Sequence, residues 1–257
     1  MRNNLTNELA VCGLNAVKAL SEYHPENINR LFLREDRLPV FTGICKQLAA
    51  RKRPYKLCGD EELERICKTI HHQGVVAMML EPLVPDVSRE DIAQWDNQGW
   101  TGLILHSVGN DHNLGAIVRA AAFFDARIVV LNAGDNAAML STSAYRVAEG
   151  GMEQVIFRSV QNTTALLHGL SRRLVTIGAD PRARRRIGDI EDIMQRAAAD
   201  KGRHPGAALV LGNEETGLPP DVKSACSCLV RIPGTGTPES LNVSQAAALF
   251  LHELYER

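Results

Sequence analysis

Three polar segments carry residue types that could do chemistry, and each follows an apolar run of strand character. The last, Arg231–Ser244 (RIPGTGTPESLNVS), is rich in Gly, Pro, Ser and Thr and lies between CLVRI and an apolar terminal helix pattern. Its glycines permit close backbone approach, and its hydroxyls and amide offer short-range hydrogen bonds, the make-up of a ligand cradle. The middle segment, Leu211–Pro219 (LGNEETGLP), places Glu214 and Glu215 just past the run AALVLG. Such a carboxylate pair is either polar chemistry at a sheet edge or a surface turn whose acids favour the next helix's dipole. The earliest, Gly109–Arg119 (GNDHNLGAIVR), offers Asn113 as N-cap of a helix LGAIVRAAAFF and sets Arg119 among Ile117, Val118 and Ala120. An Arg in so apolar a helix either lays its stem on the core with its head in water or clamps an anionic ligand.

The GTGT run invites a nucleotide-binding reading, but the usual templates fail. There is no G-x-x-x-x-G-K-[ST], and the G-x-G at Gly234 and Gly236 lacks a third glycine and follows the last strand pattern rather than the first.

The elements that must position these loops fall into two groups. Before residue 80, helical patterns (GLNAVKALSEY, FTGICKQLAA, DEELERICKTI with Asp60 as N-cap) mix with extended ones (INRLFLR, YKLCG, VVAMML). Residues 1–80 therefore read as a compact α/β domain. Residues 81–99, with two prolines, several charges and no sustained periodicity, read as a linker. Residues 100–257 repeat strand then helix: TGLILHSV, ARIVVL, QVIFR, RLVTIGA, AALVLG and CLVRI alternate with helical runs. Continuous apolar strands separated by helices predict a mostly parallel sheet covered on both faces. Ligands of such sheets bind beyond the carboxyl ends of the strands, where all three polar segments lie.

Composition narrows the classes. A chain of 257 residues with net charge −1 has no global attraction for nucleic acid, so an RNA partner would have to be steered by local patches. Two basic runs are candidates, Arg51–Lys56 (RKRPYK) and Arg182–Arg186 (RARRR), with solvated surface as the alternative for each. No apolar run reaches the roughly 20 residues of a membrane helix, and MRNNLTNELA has no signal-type apolar stretch, so the cytoplasm is expected and a membrane partner is not. The six cysteines are scattered; Cys226-x-Cys228 has no second pair, and buried reduced thiols are expected rather than a metal site.

Read together and in order, N-x-G-A-I-x-R from Asn113, L-G-N-E-x-x-G-L-P from Leu211 and I-P-x-x-G-x-x-x-S-L-N-V-S-x-A from Ile232 resemble the three motifs of the SpoU/TrmH family. Members are SPOUT-class RNA ribose 2′-O-methyltransferases that use S-adenosyl-L-methionine. The segment from Gly13 to HHQGVVA (71–77) is similar, more loosely, to the family's L30e-like substrate-binding domain. The resemblance implies a SPOUT-type α/β trefoil-knot domain, a topology that chain physics alone disfavours. It also implies a homodimer with its site near the subunit interface, and an rRNA or tRNA substrate. It implies cofactor contacts from Gly212, Ile232 and Leu241, and a catalytic polar set of Asn113, Arg119, Glu214, Ser240 and Asn242. Arg119 stays protonated in proteins, so its expected role is to anchor phosphate and stabilise a developing alkoxide, oriented by Glu214 and Asn113. The chain departs from the family pattern at Gly234, where Met is common, at Asn110–His112, and in the long stretch between Gly178 and Ala207. An RNA-binding protein that keeps this fold without catalysis is the alternative.

Overall fold

The structure, a computed structural model, describes residues 2–3, 8–132, 139–237 and 240–256. Its elements begin with β1 (Arg2–Asn3), β2 (Glu8–Cys12), α1 (Leu14–Tyr23), β3 (Ile28–Leu33), α2 (Leu38–Ala50), β4 (Tyr55–Leu57), α3 (Asp60–Cys67) and β5 (Val75–Leu80). There follow α4 (Arg89–Asn97), β6 (Thr101–Leu105), α5 (Asp111–Phe123), β7 (Ile128–Asn132), α6 (Thr142–Ala148), β8 (Ile156–Val160), α7 (Thr163–Leu170) and β9 (Val175–Ala179). The chain ends through β10 (Arg185–Arg186), α8 (Ile190–Lys201), β11 (Ala207–Leu211), α9 (Pro220–Ala225), β12 (Cys228–Arg231) and α10 (Val243–Tyr255).

Residues up to Leu83 together with Met139–Gln154 form one compact unit. Its five-stranded sheet, ordered β1-β2-β5-β3-β4, is antiparallel except for the β3–β4 pair. Strand β2 is buried along its whole length, yet its short mixed sequence ELAVC gave no strand signal. In α3, Gly59 is the N-cap and Asp60 the first helical residue, so Asp60 serves the helix as a first-turn acid rather than as the expected cap. Half of the RKRPYK run serves the fold: Arg53 donates to the carbonyls of Glu26 and Ile28, Arg51 to that of Pro25, and Lys56 pairs with Glu62.

Helix α6 packs on β2, and the turn after it buries Glu153, whose Oε1 has no hydrogen-bond partner among the described residues. Burial pushes the Glu153 carboxyl up to about 7, against the opposing pull of His24, whose Nε2 lies 3.7 Å away. A carboxyl raised in the folded state above its unfolded value near 4.5 adds stability fully present below pH 4.5 and lost as pH rises through 7. The thermal midpoint should therefore fall between pH 5 and 8, and Glu153→Gln should flatten that dependence. An unaltered profile in the variant would assign the slope to other groups.

Residues Val84–Ala138 and Val155–Arg257 form the other unit. Its seven-stranded sheet, ordered β10-β12-β9-β11-β6-β7-β8, is parallel at every described pairing. Strand β11 is buried at all positions, as a strand covered on both faces must be. The segment expected as an irregular linker contains α4, opened by a capping box in which Ser88 and Asp91 exchange side-chain and backbone hydrogen bonds. This short helix is fixed by Trp95, fully buried in the core, with Nε1 donating to the carbonyls of Trp100 and Ala207. Trp95→Ala should cost about 3–5 kcal/mol in chemical denaturation; a loss under about 1 kcal/mol would show that α4 is dispensable to the sheet. Among the described residues no helix is long and apolar enough to cross a membrane.

Candidate active site

The carboxyl ends of β9, β11 and β12 and the start of α10 enclose a cavity of about 620 Å³, inside the range of small-molecule sites. Gly212, Ile232 and Leu241 line it, with Ser240 and Glu214. Leu241 is 44% exposed, an apolar side chain offered to the cavity rather than to the core. Pro238 and Glu239, inside the expected cradle, lie outside the described residues.

Gly212 has a steric reason to be glycine. A Cβ there would stand 2.4 Å from the Gly217 carbonyl carbon and 2.5 Å from the Leu218 nitrogen, both backbone. The loop folds back this tightly because Gly217 takes φ +68° and donates its N–H to the Asn213 carbonyl at 2.9 Å. Asn213, which sequence reasoning passed over, organises the turn. Its Oδ1 accepts from the N–H groups of Glu215 (3.0 Å) and Thr216 (3.1 Å), and its Nδ2 donates to the Ser107 carbonyl at 3.0 Å. An Asn next to a Gly-containing acidic loop is the available sequence signal.

On α5 the N-cap is Asn110, whose side chain accepts from the His112 N–H at 2.8 Å. This corrects the expectation that Asn113 caps the helix. Asn113 sits in the first turn instead, where its side chain is free of capping and turns to other partners. Its Nδ2 donates to Glu214 Oε1 at 2.7 Å, and its Oδ1 accepts from Asn242 Nδ2 at 3.1 Å. The direction follows from chemistry: an ionised carboxylate only accepts, so the amide N–H₂ of Asn113 faces Glu214 and its oxygen is left for Asn242. Asn242 caps α10 with its own oxygen, accepting from the Ser244 N–H (2.8 Å) and hydroxyl (2.6 Å). The result is a directed relay from the α10 N-terminus through Asn242 and Asn113 to Glu214.

Arg119 is not part of this relay. It is exposed on α5 and has no ion-pair or hydrogen-bond partner among the described residues. Six residues beyond Asn113, it leaves the helix about 120° around from it and roughly 9 Å along, on a different face. Phe123, one turn further along the same face, is 79% exposed.

Asp180 is a second cavity-lining residue that the sequence reading missed. Burial pushes its carboxyl up, but the Arg182 N–H (3.0 Å) and the Lys223 ammonium (2.9 Å) outweigh this and hold it below the usual carboxylate range. It directly follows an apolar strand, the same signal that singled out Glu214. At Gly234 an added Cβ would meet nothing within 4 Å among the described residues, and the φ there does not demand glycine.

A parallel α/β sheet whose terminal loops build a cavity with an amide–carboxylate relay is the SPOUT type of fold, preceded by a small L30e-like α/β unit. Residues 101–252 match the model of the SpoU rRNA Methylase family, and residues 10–82 match that of RNA 2′-O ribose methyltransferase substrate binding. A 23S rRNA (guanosine-2′-O-)-methyltransferase RlmB of Acinetobacter baylyi is 32% identical over 253 residues, 94% of either chain. The uncharacterized tRNA/rRNA methyltransferase YfiF of Escherichia coli O157:H7 is 29% identical over all of this chain and 70% of its own. Among solved structures, an rRNA methyltransferase from Sinorhizobium meliloti superposes with TM-score 0.75 at 20% identity, covering 98% of this chain and 88% of that one. The SpoU methyltransferase AviRb from Streptomyces viridochromogenes, in complex with AdoMet, gives 0.70 at 19%, covering 97% and 90%. The chain belongs to the SpoU rRNA methylase family and is an RNA 2′-O-ribose methyltransferase.

Proposed function

We propose that this chain transfers the methyl group of S-adenosylmethionine to a ribose 2′-hydroxyl of ribosomal RNA. In this reading residues 1–80 hold RNA and residues 100–257 carry out the transfer. The observation that carries it is the juxtaposition of the Gly212–Ile232–Leu241 cavity with the Asn242–Asn113–Glu214 relay. The cavity residues fit the cofactor: Gly212, with no side chain, lets the turn that follows it fold tightly into one cavity wall, and Ile232 and Leu241 supply an apolar one. When bound, the cofactor supplies a methyl group on a positively charged sulfur, open to in-line attack by the 2′-oxygen.

The protein's own work is alignment and electrostatics. Holding nucleophile and methyl carbon in line can contribute on the order of 7–11 kcal/mol. The relay fixes Glu214 and the α10 N-terminus, with Ser240, around the reacting centre. Arg119, permanently cationic, anchors RNA phosphate and stabilises negative charge as it develops on the 2′-oxygen.

The enzyme works as a homodimer. Support comes from the face shared by α5 and α10, which pack together and expose Phe123, Leu249 and Tyr255. Arg119 lies on that face and so is offered to a second subunit's cavity. With no membrane-crossing helix among the described residues and RNA as substrate, the cytoplasm is its place. The test is incubation of purified protein and labelled S-adenosylmethionine with separated ribosomal and transfer RNA from cells lacking the gene. Label in ribosomal RNA is expected. Label confined to transfer RNA would move the substrate, and cofactor binding without transfer to any RNA would overturn the proposal.

A further inference from the structure

We infer that the edge strand β10 and the mouth of the donor cavity form one cationic ledge that receives the phosphodiester backbone of the substrate RNA. The inference rests on the methyltransferase reading above and adds where the acceptor enters.

Strand β10 is the outermost strand of the sheet and pairs with β12 in parallel, with Arg185 beside Val230 and Arg186 beside Arg231. Register partners project on the same face, so two guanidinium side chains stand side by side, an arrangement that repels unless an anion intervenes. Arg231 and Arg182 also line the cavity. The cations therefore run continuously from the sheet edge (Arg184, Arg185, Arg186) to the cavity mouth (Arg182, Arg231), and all but the half-buried Arg231 are exposed.

The neighbouring acids form no close ion pair with them, although the Arg182 charge helps to hold the Asp180 carboxyl down. Asp180 is engaged by Lys223 and by the backbone N–H of Arg182, and Asp189 accepts from the backbone N–H of Arg186 at 2.7 Å. Both carboxylates thus shape the backbone that presents the arginines, while no ion pair among the described residues reaches any of the five guanidiniums, and Arg185 has only the neutral Cys228 thiol against it. A chain of net charge −1 that leaves five cations unpaired along one path to its cavity has built a local field, not a general one. Arginine forks suit phosphate oxygens bidentately, and a strand-spaced row suits a polyanion rather than a single ion. Fitted to a transferase acting on ribose, that polyanion is the RNA backbone flanking the target nucleotide.

The test is the triple variant Arg184→Gln, Arg185→Gln, Arg186→Gln, titrated by anisotropy with a short fluorescein-labelled single-stranded RNA across a salt series. Binding is expected to weaken about tenfold or more at about 0.1 M salt, and the slope of log affinity against log salt to fall by roughly 2, at about 0.7 for each phosphate no longer neutralised. The corresponding triple Lys variant should retain the slope. Calorimetric binding of S-adenosylhomocysteine should be unchanged in both, showing the cavity intact. Ultraviolet crosslinking of the unmodified protein should place RNA on peptides covering residues 182–186. An unchanged slope in the Gln variant, or crosslinks confined to other segments, would overturn the ledge and leave the methyltransferase reading standing. An unmodified protein that binds no S-adenosylhomocysteine would instead strike at that reading.

Discussion

Replacing Arg119 by alanine is expected to slow methyl transfer by about 10²–10³-fold, roughly 3–4 kcal/mol of transition-state stabilisation, while leaving cofactor affinity within about twofold. Two features of the structure set this apart from ordinary damage. Arg119 is exposed and has no polar partner among the described residues, so its loss breaks no internal interaction and the thermal midpoint should hold. It also does not line the donor cavity of its own chain, so the walls that hold the cofactor stay in place. Arg119→Lys should recover only part of the rate, because a point charge replaces a planar fork. If Arg119→Ala instead lowered cofactor affinity and activity in parallel, the residue would be a structural element of the helix and not a participant in transfer.

The second large effect is expected at Gly212. In Gly212→Ala the new Cβ meets backbone at 2.4 Å and 2.5 Å, and backbone cannot swing aside as a side-chain end can. The turn from Asn213 to Gly217 must open, which dismantles the Asn213 hydrogen bonds and one wall of the cavity together. Affinity for S-adenosylhomocysteine should fall about a hundredfold by calorimetry, close to 3 kcal/mol, with a smaller loss of global stability. Gly234→Ala is the matched control: the added Cβ there meets nothing within 4 Å among the described residues, and binding should be unaffected. Retained affinity in Gly212→Ala would mean that the loop is more plastic than its geometry implies and that cofactor recognition lies elsewhere.

The catalytic half of the fold was legible because its central strands are buried on both faces. Runs such as AALVL and GLIL have one physical explanation in a chain of this composition, and the helices between them follow from spacing. What escaped notice was short or locally encoded. Helix α4 has few apolar residues, so periodicity is silent; its signal was Ser88-x-x-Asp91, a capping box that needs no periodicity. Strand β10 is two residues long, and nothing in RARRR distinguishes an edge strand from solvated loop.

The site shows the same division. The loops and their order were readable, and the structure brings Asn113, Glu214 and Asn242 together as the motifs suggested. The mistaken cap arose because Asn110 and Asn113 are both competent cap residues one turn apart, and only the backbone at Asn110, extended at φ −111°, decides between them. That decision has a chemical consequence, since a capping Asn113 would have turned its Oδ1 to the helix N–H groups, whereas here that oxygen accepts from Asn242. The pairing of Glu214 and Asn113 with each other rather than with Arg119 follows from helix phase, which was computable from a separation of six residues. Asp180 was missed although it obeys the rule applied to Glu214, because no paired acid drew attention to it.

The most direct test of the central claim is the chemical form of the transferred methyl group. RNA labelled by the enzyme from radioactive S-adenosylmethionine would be hydrolysed completely in alkali and the products separated by charge. Alkaline cleavage requires attack by the free 2′-hydroxyl, so a methylated ribose blocks it at that position. The account predicts label in alkali-resistant dinucleotides, and its loss in Arg119→Ala. Label recovered in mononucleotides would place the methyl group on a base and contradict ribose 2′-O-transfer.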